Sequence, residues 1–231
     1  MKRFYREAGV AADDTGFRIV LDGRGARTPA KNPLAVPSHA AAEAIAAEWA
    51  AQVDELDPSA MRLCRLANTA IDRVAGHRAA VVAEVARFAE TDLVCYRAAE
   101  PVELRRRQDA AWQPLVEWAV ARYGTDLRVA EGIVPEPQAP DALAALRRAI
   151  EAFADFPLTA LHAATAATGS LVIALAVAEG WIDGAKAFTA AHVDELYQAE
   201  LWGEDAEAAR RRAALRADIE AAARFLALTR G

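Results

Sequence analysis

PLTALHAATAATGSLVIALAVA, residues 157–178, contains no Asp, Glu, Lys or Arg. The stretch is long enough to cross a bilayer, but much of it is alanine, threonine and glycine. Only its last eight residues, LVIALAVA, are strongly apolar. A membrane span needs about 20 predominantly apolar residues in a row. We therefore interpret residues 157–179 as one buried helix at the centre of a helical domain, with no stable insertion into a membrane.

The composition of the rest of the chain also favours helices. Hydrophobic residues make up 54% of the 231 residues, and alanine, the strongest helix former, is prominent among them. The length suits one large domain or one small and one medium domain. The formal net charge of −6 argues against a nucleic-acid binder, which normally needs a basic face, so we expect no nucleic-acid partner.

The first forty residues differ from this helical pattern. GFRIVLD, residues 16–22, alternates apolar and polar side chains and predicts a half-buried strand. The following DGRG predicts a tight turn into a second strand at residues 26–28, after which three prolines interrupt regular pairing. We predict an α+β fold, in which a small β-rich domain over residues 1–37 precedes an all-α helical bundle over residues 38–231. The boundary falls either before or after the helix predicted for residues 38–54.

The helical part has recognisable start and stop signals. Ser38 and Asp183 are good N-cap residues, and Pro114 predicts an end or a kink in the helix of residues 103–123. Two arginine runs, residues 105–107 and 210–212, lie near acidic residues and are interpreted as solvated helix faces. Further helices are predicted for residues 141–155, 184–200 and 205–229.

The chain has two cysteines, Cys64 and Cys95, which lie far apart and in apolar surroundings. We expect two reduced, buried thiols. The N-terminal MKRFYREAG is charged and lacks an apolar core, so it does not resemble a secretory signal.

Polar residues interrupt two of the apolar segments. In LANTAIDR, residues 66–73, Asn68, Thr69 and Asp72 form either a polar contact patch or a set of internal hydrogen bonds that tie the helix to nearby loops. In FAETDLVCYR, residues 88–97, Asp92 either caps a helix or pairs with an arginine such as Arg65 or Arg97.

HVDELYQAELWGED, residues 192–205, combines five carboxylates with a histidine, a tyrosine and a tryptophan. One hypothesis is a carboxylate-using or metal-dependent enzyme built on His192, Glu195 and Tyr197. Against it, two-metal carboxylate bundles use Glu-x-x-His twice, whereas this chain has His-x-x-Glu once. The structural alternative is a helix with an acidic outer face, with Trp202 packed at its end and Gly203 terminating it.

Seven sequence blocks cover nearly the whole chain: KRFY, GFRIVLDGRGARTP, AIAAEW followed by Gln52, MRLCRLANTAID, TDLVCYRA, WQPLVEWA and DELYQAELWGED. Together and in this order they resemble the assembly chaperones for the alpha subunit of F-type ATP synthase, a family known from mitochondria and alphaproteobacteria.

The resemblance implies a small α/β N-terminal domain, a larger helical domain, and a protein without catalysis, cofactor or metal. It implies binding to the unassembled alpha subunit, displacement by the beta subunit, and a monomer when free. The client-contacting residues implied by the acidic block are Glu195, Asp194, Gln198, Trp202 and Gly203, with Glu195 the most important. Trp49 is expected to support folding by core packing. We expect a bacterial cytoplasmic protein, or a mitochondrial matrix protein if the source is eukaryotic.

A third hypothesis is a small-ligand-binding protein. The uncharged helix of residues 157–179 would then form one wall of an enclosed apolar pocket beside Gly169 and Ser170.

Overall fold

The computed structural model describes residues 1–13, 16–132, 136–203 and 205–230. Contacts divide the chain into two compact units. Unit 1 comprises Met1–Arg78, Ala154–Ala160 and Arg224–Gly231, and unit 2 comprises Ala79–Phe153 and Leu161–Ala223. The predicted α+β fold is confirmed, with a small N-terminal sheet followed by helices. The domain boundary near residue 37 stays a prediction.

The sheet of unit 1 is built around the predicted strand. This strand, β2 (Gly16–Leu21), pairs antiparallel with β1 (Ala8–Asp13), β3 (Arg24–Gly25) and β4 (Ala35–Val36). Asp22 and Gly23 both have positive φ, 49° and 75°, as a two-residue hairpin turn requires. The second strand therefore begins at Arg24, earlier than the predicted residues 26–28.

Helix α1 (His39–Ala50) packs against this sheet and also caps the next helix. The predicted N-cap is confirmed, because the Ser38 hydroxyl accepts a hydrogen bond from the backbone N–H of Ala41 at 3.0 Å. Helix α2 (Arg62–Thr69) has no side-chain cap of its own. Instead, Glu48 of α1 accepts hydrogen bonds from the N–H groups of Leu63 and Cys64, each at 2.8 Å.

The remaining helices mostly follow the predictions. Of the two effects predicted for Pro114, an end of the helix is wrong, because the helix runs on to Tyr123. Residues 96–97 and 130–131 form a two-strand parallel pair. The remaining elements are α3 (Ala75–Arg87), α4 (Val102–Tyr123), α5 (Pro140–Glu151), α6 (Asp155–Thr168), α7 (Leu171–Ala178), α8 (Gly184–Ala191), α9 (Val193–Trp202), α10 (Ala206–Thr229), β5 (Tyr96–Arg97) and β6 (Ala130–Glu131).

The single helix predicted for residues 157–179 is wrong, because the chain breaks between α6 and α7. Gly169 adopts φ 68°, a left-handed conformation that ends α6, and Ser170 caps α7 through a hydrogen bond from the N–H of Ile173. All eight residues of α7 are buried, so a central buried helix is confirmed for this part. Within the part of the chain that the structure describes, no helix has the length and apolar character of a membrane span.

Asp92 takes the first of its two predicted roles, as a cap within unit 2. Its side chain is 1% exposed and accepts hydrogen bonds from the Ser170 hydroxyl at 2.5 Å and from the N–H groups of Val172 at 3.0 Å and Val94 at 3.2 Å. Both cysteines are free and buried, as predicted, and burial raises the pKa of each thiol to about 12.

Candidate functional site

The acidic block lies on α9, which is separated from α8 by a break at His192. The sequence predicts one helix over residues 184–200, and this prediction is wrong. His192 adopts φ −117° and ψ 27°, outside the helical region. Its buried ring stacks on Phe188 with centroids 4.3 Å apart, and its Nδ1 lies 2.9 Å from the Phe188 carbonyl oxygen. The imidazole therefore has a structural role, in contacts with Phe188 of the same chain.

The inner side of α9 is bound to α4 within unit 2. The Gln108 amide donates to the Asp194 carboxylate at 2.8 Å, and Arg107 donates to Glu200 at 2.6 Å. The same guanidinium lies 5.1 Å from the centroid of the buried Tyr197 ring. Asp194, one of the five predicted contact residues, is half-buried and already has a partner in its own unit.

The outer side of α9 carries three of the predicted residues. Glu195 and Gln198 are exposed, and Trp202 is 78% exposed. The expectation that Trp202 packs at the end of the helix is therefore wrong, whereas the expected exposure of Glu195 is confirmed. Leu201, a residue absent from the predicted contacts, is 55% exposed beside it. A single solvent-facing leucine has no distinctive sequence signal, so only the structure identifies it.

Gly203 ends α9, as the sequence predicts. Its φ of 86° is in a region that favours glycine, and its N–H donates to the Ala199 carbonyl at 3.0 Å. Asp205 then caps α10 by accepting a hydrogen bond from the N–H of Ala208 at 2.9 Å. Glu204, which also belongs to the acidic block, lies outside the described residues.

Between α9 and the first turns of α10 lies a cleft of about 270 Å³, here called the α9–α10 cleft. Acidic and basic side chains both line it, together with the Trp202 ring. The cleft therefore combines charge of both signs with apolar surface. Its lining residues are His192, Glu195, Gln198, Ala199, Trp202, Gly203, Asp205, Ala208, Arg211, Arg212 and Leu215.

The arrangement gives little support to an enzyme built on His192, Glu195 and Tyr197. The His192 ring contacts a backbone carbonyl, and the buried Tyr197 ring lies under Arg107. Across residues 1–13, 16–132, 136–203 and 205–230, no group of three or more His, Cys, Asp or Glu is placed to hold a metal ion.

Ser170, the polar side chain beside which the ligand pocket was predicted, is not available to a ligand. Ser170 is fully buried, and its hydroxyl donates to Asp92. The eight apolar residues that follow it form α7, and all of them are buried. The serine therefore has a structural role at the start of α7.

The candidate polar patch of Asn68, Thr69 and Asp72 lies in unit 1. Asp72 accepts hydrogen bonds from the Thr28 hydroxyl at 2.6 Å, the Ala30 N–H at 3.0 Å and the Asn32 amide at 2.9 Å. The internal hydrogen-bonding alternative is thus confirmed for Asp72. Trp49, expected in the core, is only half-buried.

Comparisons with known proteins agree with this architecture. Residues 2–120 match the family model described as ATP12 chaperone protein. The chain is 41% identical to Atp12 from Paracoccus denitrificans, whose crystal structure superposes with a TM-score of 0.93 over 99% of this chain and 98% of that one. A solved structure from Agrobacterium tumefaciens also shows 41% identity, with a TM-score of 0.95 over 99% of this chain and 86% of that chain. The mitochondrial protein atp12 of Schizosaccharomyces pombe is 23% identical over an alignment of 218 residues that covers 87% of this chain and 74% of that protein.

Proposed function

The chain belongs to the ATP12 chaperone protein family, and from this membership we propose that it binds the unassembled alpha subunit of F-type ATP synthase. Membership makes the protein an assembly chaperone of ATP synthase. The proposal adds the identity of the client and the event that ends the interaction. The chaperone releases the alpha subunit when the beta subunit takes its place in the alpha/beta catalytic ring.

The observation that carries the proposal is the exposure of large apolar side chains at the end of α9. Trp202 is 78% exposed and its neighbour Leu201 is 55% exposed. Tryptophan is enriched among the residues that contribute most to protein–protein binding, because its large ring buries much apolar surface. Exposed apolar side chains next to a charged cleft are typical of a surface that another protein covers.

Glu195 supplies the charge in the proposed contact. Its exposed carboxylate lines the same cleft as Trp202. A carboxylate in this position can form a bidentate pair with an arginine of the client, and such a pair adds geometric specificity to the apolar contact. Gln198 lies one helical turn closer to the tryptophan and can add amide hydrogen bonds.

Asp194 and Gly203 contribute to the proposed surface in a different way. Asp194 binds Gln108 of α4 and so holds α9 in place. Gly203 ends the helix directly after Trp202. We therefore assign client contact to Glu195, Gln198 and Trp202, and the positioning of α9 to Asp194 and Gly203.

Release by the beta subunit follows if the chaperone and beta cover the same surface of alpha. An unassembled subunit exposes apolar surface that beta later buries, and such surface promotes aggregation. A chaperone that occupies it needs neither a cofactor nor a catalytic step, and we propose that this one acts as a free monomer. We place it in the bacterial cytoplasm, or in the mitochondrial matrix if the source is eukaryotic.

The test is co-purification of this protein with the alpha subunit from its own ATP synthase. We expect a complex with alpha and none with beta alone, and addition of beta to the complex should release the chaperone. Absence of a complex between folded, soluble partners contradicts the proposal.

A further inference from the structure

Unit 1 contains a groove of about 650 Å³ that the proposed function does not use. Helix α2 and the residues directly after it contribute one wall, and the end of α1 contributes Trp49. Its volume is in the range of sites that bind ligands. Residues Ala70–Val74 beside it form a single turn of π-helix, a feature that often occurs at functional sites.

Apolar side chains and one thiol form much of the lining of this groove, which also includes three uncharged polar side chains. Met61 and Cys64 are buried, and burial raises the pKa of the Cys64 thiol to about 12, so the thiol is neutral. Trp49 and Leu56 are half-buried and line the groove. An apolar side chain that enters the groove would therefore leave water without displacing a charge.

The rim of the groove has an excess of positive charge. Arg27, Arg65 and Arg73 are exposed lining residues, whereas Asp72 is the one acidic side chain among the described residues that line it. The Asp72 carboxylate already accepts three hydrogen bonds from the loop of residues 28–32. Three positive charges and one negative charge leave a local excess of two, although the whole chain has a net charge of −6.

We propose that this groove binds a short apolar segment of a client protein that carries at least one Asp or Glu. The apolar side chains would pack against Trp49 and Leu56, and the carboxylate would pair with Arg65 or Arg73. This surface is additional to the α9–α10 cleft. The inference rests on the proposed function in one respect, because it assumes that the ligand is part of a client protein.

The experiment measures fluorescence anisotropy of a short labelled peptide composed of leucine, alanine and glutamate. A matched peptide carries lysine in place of each glutamate. We expect the glutamate peptide to bind the full chain and the lysine peptide to bind at least about tenfold more weakly, a difference of roughly 1.4 kcal/mol.

Arg65→Glu and Arg73→Glu should each weaken binding of the glutamate peptide by at least about tenfold. The matched control is Arg24→Glu, which makes the same charge change on an exposed hairpin residue outside the groove. It should leave the affinity within a factor of about two, since an exposed charge outside the groove is screened by salt. Circular dichroism and thermal unfolding of all three variants check that the fold is retained.

Equal binding of the two peptides, or binding that neither groove substitution changes, overturns the inference. Binding of laurate with no binding of the glutamate peptide assigns the groove to a small amphiphile and also overturns it. The peptide assay contains no alpha subunit, so its result does not depend on whether this protein binds the alpha subunit. Loss of peptide binding with intact alpha binding rejects the groove alone, and the reverse result rejects the proposed client alone.

Discussion

The Ser170 hydroxyl donates a 2.5 Å hydrogen bond to the Asp92 carboxylate, and both side chains are buried in unit 2. The same carboxylate accepts hydrogen bonds from the N–H groups of Val94 and Val172. One side chain thus joins the turn after α3 to the first turn of α7. Burial outweighs these hydrogen bonds, which favour the ionised form, and raises the pKa of Asp92 from 3.8 to about 6.

The first prediction concerns the pH dependence of stability. Because the pKa is raised, the folded chain holds the Asp92 proton more tightly than the unfolded chain does. The associated stabilisation is complete below the unfolded pKa of 3.8 and is lost as the pH rises through about 6. Asp92→Asn cannot titrate, so the unfolding free energy of the wild type should fall relative to the variant by about 2 kcal/mol between pH 4 and 7. Urea unfolding at a series of pH values measures this, and a constant difference would contradict it.

The second prediction concerns the cap that α1 provides for α2. Glu48→Ala leaves the N–H groups of Leu63 and Cys64 without their acceptor and should lower the free energy of unfolding by about 1–3 kcal/mol. Glu43→Ala removes an exposed carboxylate from the same helix and serves as the control, with an expected change within about 0.5 kcal/mol. Equal effects in chemical denaturation would show that the cap does not stabilise unit 1.

The third prediction compares two glycines. A Cβ at Gly184 would lie 2.9 Å from the Glu220 Cα and 3.2 Å from the Ala223 Cβ, so Gly184→Ala should destabilise the protein by about 1–3 kcal/mol. A Cβ at Gly76 would meet no atom within 4 Å, so Gly76→Ala within α3 should stabilise it by about 0.5–1 kcal/mol. Thermal unfolding of the two variants should show shifts of opposite sign, and shifts of the same sign would refute the close approach of α8 to α10.

The helix breaks show which parts of the fold the sequence could predict. The strand at residues 16–21, the cap at Ser38 and the end of α9 at Gly203 follow from local patterns, and the structure confirms them. The break at Gly169 also has a local signal, a glycine that can take positive φ, but the uncharged run around it suggested one continuous helix. The break at His192 has no glycine or proline beside it to predict it, and there the ring packs on Phe188.

The same division applies to the candidate site. The acidic pattern of the block predicted an exposed Glu195, which is confirmed. The link between Asp194 and Gln108 joins residues 86 positions apart, so only the folded chain reveals it. The two readings of Trp202 differed, because client contact requires an exposed side chain and packing at the helix end a buried one; its 78% exposure excludes the second.

The fourth prediction separates binding from folding at Trp202. Because its side chain is 78% exposed, Trp202→Ala should change the free energy of unfolding by no more than about 0.5 kcal/mol. We expect the same substitution to weaken binding of the alpha subunit by at least about tenfold, as for a residue at the centre of an interface. Trp181→Ala, at a 44% exposed tryptophan elsewhere in unit 2, should leave that affinity unchanged. Equal loss of affinity in both variants would exclude a specific role for Trp202.

The central claim is that the outer face of α9 binds the alpha subunit, and a titration of alpha against Glu195→Lys tests it most directly. The control is Glu90→Lys, which makes the same charge reversal at an exposed residue of unit 2. Isothermal titration calorimetry should show an affinity at least about tenfold lower for Glu195→Lys, with wild-type affinity for Glu90→Lys and unchanged thermal unfolding for both. Wild-type affinity of a folded Glu195→Lys variant would contradict the claim.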